Sequence, residues 1–181
     1  MRVRRVGLWL LALVAAGMVV LCGWDFLQIG RHAPQLAPAS ARATQIVVDK
    51  AARRLTLLHD VTVLATYPVS LGGAPTGPKQ QEGDGRTPEG HYTIDYKNSR
   101  SQGHLALHIS YPSAADRASA QHRGVPPGGD IMIHGLRNGL GWLGRLHLWL
   151  DWTDGCVAVT DRQMDEIWPL VAVGTPVEIR P

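Results

Sequence analysis

The chain has 181 residues, 45% of them hydrophobic and 18% charged, with a formal net charge of +3. That balance excludes a natively disordered chain. Three of the basic residues, Arg2, Arg4 and Arg5, stand at the very start, so the rest is near neutral and lacks the basic footprint of a nucleic-acid binder.

The three arginines precede an uncharged run of 19 residues, Val6 to Trp24, which Asp25 ends. Such a run is about the length that spans the hydrocarbon core as a helix. It predicts one N-terminal transmembrane helix over 1–24, with the arginines cytoplasmic and the rest exported. The expected location is the inner membrane, with the domain facing the periplasm. A cleaved signal segment is the alternative, because Ala37 and Ala39 offer a small-x-small site. Residues 25–43 are rich in Ala and Pro and read as a linker.

From Thr44 to Pro181 the pattern is that of one domain. Ile46–Val48, then Leu55 and Leu57, then Val61 and Val63, read as short strands with period-two alternation. Residues 72–90 carry too many Gly and Pro for a core element and read as a functional rim. Strands resume at His91–Tyr96 and His104–Ser110, with a short surface helix expected over 113–122. An apolar strand follows at Ile131–Ile133. Thr160 and Gln163 form a capping box, and Met164, Ile167, Trp168 and Val171 recur at helical spacing behind it. Thr175–Arg180 closes as a strand. The fold class is mostly β (β-rich α+β) with a few short helices.

Cys22 lies in the apolar run, which leaves Cys156 as the one cysteine of the exported domain. An inert buried thiol and a functional one are both open on cysteine count. Two motifs bear on the choice. Ile133-His134-Gly135 follows a buried strand, and Thr153-Asp154-Gly155-Cys156-Val157 leads into the capped helix, the Cys lying 22 residues after the His. A thiol attacks an amide as thiolate, so it needs a base, and an imidazole can take the proton and return it to the leaving amine. Gly155 lets the backbone pass close to substrate, and the N–H groups of Gly155 and Cys156 are candidate oxyanion donors. No Asp completes a triad, so a backbone carbonyl is the expected orienting group for His134.

These motifs together resemble the L,D-transpeptidase catalytic domain, the YkuD-like fold. Gly85-Arg86-Thr87-Pro88-Glu89-Gly90-His91-Tyr92 is similar to the family's Thr-Pro-x-Gly-aromatic segment. His104–Ile109 and Pro127–Ile131 resemble its central strands and the approach to the histidine. The resemblance implies a β-sandwich with short helices, spanning 44–181. It also implies acyl transfer on peptidoglycan stem peptides through a Cys156 thioester, with His134 moving the protons. Gly155, Gly135, Thr153 and Asp154 would shape the site, and no metal or organic cofactor is implied. Two departures stand out: Asp154 replaces a His common before the Gly-Cys pair, and Ala158 replaces a common Arg. Arg137 and Arg145 are the candidates for binding a substrate carboxylate in place of that Arg.

Three rivals remain. His104 and His108, on one strand face by period two, could hold zinc with His134 or His147. Trp142, Trp149 and Trp152 could serve a non-catalytic wall-binding module. Water as acceptor would make the enzyme a hydrolase of the same bonds, and a protein lysine as acceptor would make it an attachment enzyme.

Overall fold

The computed structural model describes residues 42–181. The expected membrane segment, 1–24, lies outside the described residues, as does the expected linker up to residue 41. Among the described residues, no helix is long and apolar enough to cross a membrane. The domain starts slightly earlier than its β pattern does. Ala43 donates its N–H to Leu170 O at 2.9 Å and is buried in the core.

Eight strands follow in order: β1 Gln45–Asp49, β2 Arg54–His59, β3 Thr62–Pro68, β4 Gly90–Asn98, β5 Ala106–Ile109, β6 Met132–His134, β7 Val157–Ala158 and β8 Pro176–Arg180. The period-two pattern sets their inner face. Ile46, Val48, Leu55 and Leu57 are fully buried, while Val47 and Thr56 between them in their strands are not. A sandwich of two separate sheets is not what forms. The strands make one eight-stranded sheet, in the order β3-β2-β1-β8-β4-β5-β6-β7.

The long strand β4 is the reason. Its first residues, Gly90–Thr93, pair with β8, and Ile94–Asn98 pair with β5. The register shifts between Ile94 and Tyr96 at the change of partner. An extra residue at such a point bends the strand and increases local twist, so the sheet curls on itself around Ile94, Leu107, Ile109 and Ile133.

Helix α1, Ala114–His122, is capped by Ser113 with Asp116 in return, and α2, Asp161–Leu170, by Thr160 with Gln163. Helix α2 buries Met164 and Ile167 completely, and Val171 beyond its end. Trp168, expected in the same stripe, is only half-buried. Lys97 lies 4.2 Å from its ring centroid and donates to the carbonyls of Trp168 and Val171 at 2.6 and 2.8 Å. The charge thus closes the C-terminal end of the helix. Between β6 and β7, residues Gly141–Trp149 form tight 3-10 turns interrupted at Gly144.

A buried cation from outside it pins the rim over 72–90 at both ends. The Lys50 ammonium, on a side chain 2% exposed, donates to Gly77 O at 2.6 Å, Thr87 O at 3.0 Å and Glu89 Oε1 at 2.7 Å.

Candidate active site

Strands β6 and β7 run parallel, with Ile133 opposite Val157 and His134 opposite Ala158. Parallel neighbours need a crossover of a dozen or more residues, and the segment between the two motifs supplies it. Ile133 and Val157 point into the core and are fully buried. Cys156, two residues before Ala158, shares the face of His134, because side chains alternate along a strand. Both His134 and Cys156 are half-buried on that face. The register therefore brings thiol and imidazole to one surface as diagonal neighbours.

The imidazole is tightly specified. Nδ1 of His134 lies 2.6 Å from Gly135 O, and a carbonyl only accepts, so Nδ1 carries the proton. Nε2 is then the basic nitrogen. Gly103 allows this placement, since a Cβ there would stand 2.9 Å from Nδ1. Trp152 meets the ring edge-on at 6.0 Å between centroids. Burial lowers the basicity of His134, partly offset by the bond to Gly135 O.

The thiol is also poorly suited to carrying charge on its own. Burial pushes Cys156 above the ordinary thiol value. The nearby Asp154 and Asp130 push the same way, while the Met132 N–H and Lys79 oppose them. Met132 N–H points at Sγ at 3.4 Å, and Sγ lies 3.5 Å from Asp130 O. Both shifts favour a thiol beside a neutral imidazole over a preformed ion pair.

Thr153 closes the cysteine loop. Its hydroxyl donates to Cys156 O at 2.7 Å and accepts from Gly155 N–H at 3.2 Å. The Gly155 N–H is therefore occupied, and of the two expected oxyanion donors Cys156 N–H is the one left. Gly155 has φ of +126°, and a Cβ there would come within 2.5 Å of Arg86 O, so only glycine fits. Residues 70–73 clasp the loop from outside. Ser70 exchanges backbone bonds with Ala158 in both directions at 2.9 and 2.8 Å, and Gly73 N–H donates to Thr153 O at 3.0 Å.

Gly135 sits against α2, where a Cβ would meet Asp161 Oδ1 at 2.8 Å. Asp161 in turn accepts from Leu136 N–H at 2.7 Å. Asp154, Arg137 and Arg145 are exposed. The cation whose field reaches the thiol is instead Lys79, buried and paired with Asp84 at 2.9 Å. Nothing in the spacing of Lys79 marks it, since its approach depends on how the rim folds back.

The proposed zinc face does not assemble. His104 lies outside β5 in a left-handed conformation, φ +55°, and pairs with Asp165 at 2.7 Å. His108 pairs separately with Asp95 at 2.6 Å. Among the described residues, no group of three His, Cys, Asp or Glu side chains is arranged to hold a metal.

The model of the YkuD family, the L,D-transpeptidase catalytic domain, matches residues 43–179. The chain belongs to the L,D-transpeptidase family. YafK of Escherichia coli (strain K12) is 30% identical over 111 residues, which are 60% of this chain and 37% of that protein. The helical cell shape determining protein Pgp2 of Campylobacter jejuni superposes with a TM-score of 0.61 at 23% identity, covering 86% of this chain and 54% of that one. An L,D-transpeptidase of Mycobacterium smegmatis gives 0.50 at 19% identity, covering 76% and 58%. These two structures show the shared fold. The chain spans about a third of YafK and about half of the two structures.

Proposed function

We propose that this L,D-transpeptidase-family chain is a cysteine-dependent acyltransferase acting on peptidoglycan stem peptides. The observation that carries the reading is the shared face of His134 and Cys156 across β6 and β7, with Nδ1 tied to Gly135 O and Nε2 left basic. Nε2 takes the thiol proton as sulfur attacks the carbonyl of the L-centre that precedes the terminal D-residue. The tetrahedral oxygen faces Cys156 N–H, and the intermediate collapses as the imidazolium returns the proton to the leaving amine. The D-amino acid departs and a Cys156 thioester remains. An amine of a neighbouring stem then attacks the thioester, completing a cross-link and restoring the thiol.

Incubation with a stem tetrapeptide tests this. Intact-protein mass spectrometry should show loss of the terminal D-residue and an acyl adduct on Cys156, absent in Cys156→Ala. A dimeric peptide product identifies the stem amine as acceptor, and a tripeptide alone would identify water. No adduct and no product from the folded chain would refute the reading.

A further inference from the structure

Lys79 takes no part in the chemistry above, yet it is a buried ammonium in the rim that borders it, its side chain 3% exposed. Asp84 fixes it. The Asp84 carboxylate accepts from Lys79 Nζ at 2.9 Å and from the N–H groups of Gln80, Gln81 and Arg86 at 2.7, 3.1 and 3.0 Å. Three of these four bonds come from backbone, so the carboxylate is built into the fold of the rim. Burial works against its ionisation, but the bonds from Gln80, Lys79, Arg86 and Gln81 outweigh burial and hold the carboxyl at about 2. Lys79 therefore keeps a charged partner through neutral pH.

The pair meets the nucleophile along two short stretches of backbone. On one side, Glu82 N–H donates to Pro126 O at 2.9 Å and ties the rim to the segment that leads into β6. The two touch at Gly128, where φ is +75°. A Cβ there would stand 3.2 Å from Glu82 Cα and 3.4 Å from Lys79 Cε. The missing side chain lets the charged end of Lys79 come up against the chain two residues before Asp130, whose carbonyl lies 3.5 Å from Sγ. On the other side, Asp84 holds Arg86 N–H, and Arg86 O packs on Gly155, the neighbour of Cys156.

The thiol needs a cation. Asp154 and Asp130, both exposed, oppose negative charge on sulfur, and burial opposes it more. Arg137 and Arg145 are exposed, where water and salt screen them. Water does not screen Lys79 in the same way, because its side chain is sealed under the rim. Desolvating an ammonium is costly, and here the cost falls on a residue next to the segment that touches the nucleophile.

We infer that Lys79 is a positioning residue for the nucleophile: the rim buries its ammonium against the Gly128–Asp130 segment, where its field supports sulfur as negative charge develops there. The inference rests on the reading of Cys156 as the nucleophile. The titratable and charged groups facing Cys156 are Asp154 from its own loop, Asp130 from the segment before β6, His134 from β6 and Lys79 from the rim. The charged group facing Lys79 is Asp84. As Nε2 of His134 draws the proton away, the charge left on sulfur is offset by a cation already in place.

The test is the pH profile of iodoacetamide alkylation of Cys156 in the full chain, read at that residue by peptide mass spectrometry. In Lys79→Met, which keeps the length of the side chain and loses its charge, the midpoint should rise by about half a pH unit. Alkylation at a fixed pH below the midpoint then slows about 3-fold. Lys79→Arg restores a cation and should recover most of the loss. A rim that merely came loose acts in the opposite direction, since water reaching the buried thiol makes it easier to ionise and speeds alkylation. Lys79→Met combined with Asp84→Asn leaves no unpaired carboxylate, so it keeps the test available if the single variant unfolds, and the same slowing is expected. Acylation by stem peptide should fall about 10-fold in kcat with little change in KM. Alkylation that is unchanged or faster without the Lys79 charge overturns the inference. A parent chain that forms no thioester refutes the proposed function instead, and alkylation, which needs no stem peptide, still decides the part played by Lys79.

Discussion

A side chain on Gly103 would reach within 2.9 Å of Nδ1 of His134. The residue that sets where the imidazole sits is thus 31 positions upstream of it in the chain, on the turn before β5. An alanine there must displace either the ring or the turn.

Gly103→Ala should accordingly cost activity more than stability. A displacement on the order of an ångström at a general base lowers rate about 10²-fold. Stem-peptide acylation followed by mass spectrometry should show that loss while thermal unfolding stays within a few degrees of the parent. Full activity would show that the ring tolerates the shift.

The pH dependence follows from the two shifted groups. The proposed mechanism needs neutral His134, and burial holds its pKa below the ordinary 6.5. The acid limb of kcat/KM should therefore fall below pH 6.5. Cys156 is held above 9.0, so iodoacetamide should alkylate it with a midpoint above pH 9. His134→Ala should leave that midpoint high and lower stem-peptide acylation about 10²–10⁴-fold. A thiol titrating near pH 6 would instead indicate a preformed ion pair.

Thr153 holds two backbone groups of the nucleophile loop, at 2.7 and 3.2 Å. Thr153→Val leaves both unpaired in the interior and should destabilise by about 1–3 kcal/mol in urea unfolding. Thr153→Ser keeps the hydroxyl and should recover most of the loss. Equal losses in the two variants would assign the effect to packing.

Gly155→Ala meets two penalties at once, the positive φ and the 2.5 Å approach to Arg86 O. Soluble yield and unfolding midpoint should both drop, by more than the ~1–2 kcal/mol that a left-handed residue alone costs. A variant as stable as the parent would mean that the loop relaxes away from Arg86.

Acid should weaken the fold through His147. Its folded pKa is lowered to about 4, by burial first and by His134 next, from an ordinary value of 6.5. The unfolded chain binds this proton first, so stability is intact above pH 6.5 and declines as pH falls toward 4. The loss from this group is about 3 kcal/mol. Urea midpoints measured across that window should fall, and His147→Asn should flatten the decline, leaving the smaller contribution of His134. A His147→Asn profile as steep as that of the parent would place the acid sensitivity elsewhere.

Much of this molecule is legible in local pattern. The alternation at Ile46, Val48, Leu55 and Leu57, the box between Thr160 and Gln163, and the stripe of Met164, Ile167 and Val171 depend on near neighbours, and all three are present. The Cys156 and His134 motifs are local in the same sense. Other features were not legible because they depend on distant residues. His104 has a strand-like neighbourhood but turns left-handed outside β5, held by Asn138 and Asp165. Lys50 carries no motif, yet it anchors a rim almost thirty residues away. Ser70, His147 and Trp152 carry no motif at all.

Residue order alone determined that the chain makes short strands, one strongly capped helix, and a thiol and an imidazole each at a strand end. Tertiary structure decided that β6 and β7 lie side by side with Ala158 opposite His134. The reason is register: a slip of one residue between two strands turns a side chain to the opposite face. Local alternation cannot choose that register. The packing of Ile133 and Val157 into one shared core does.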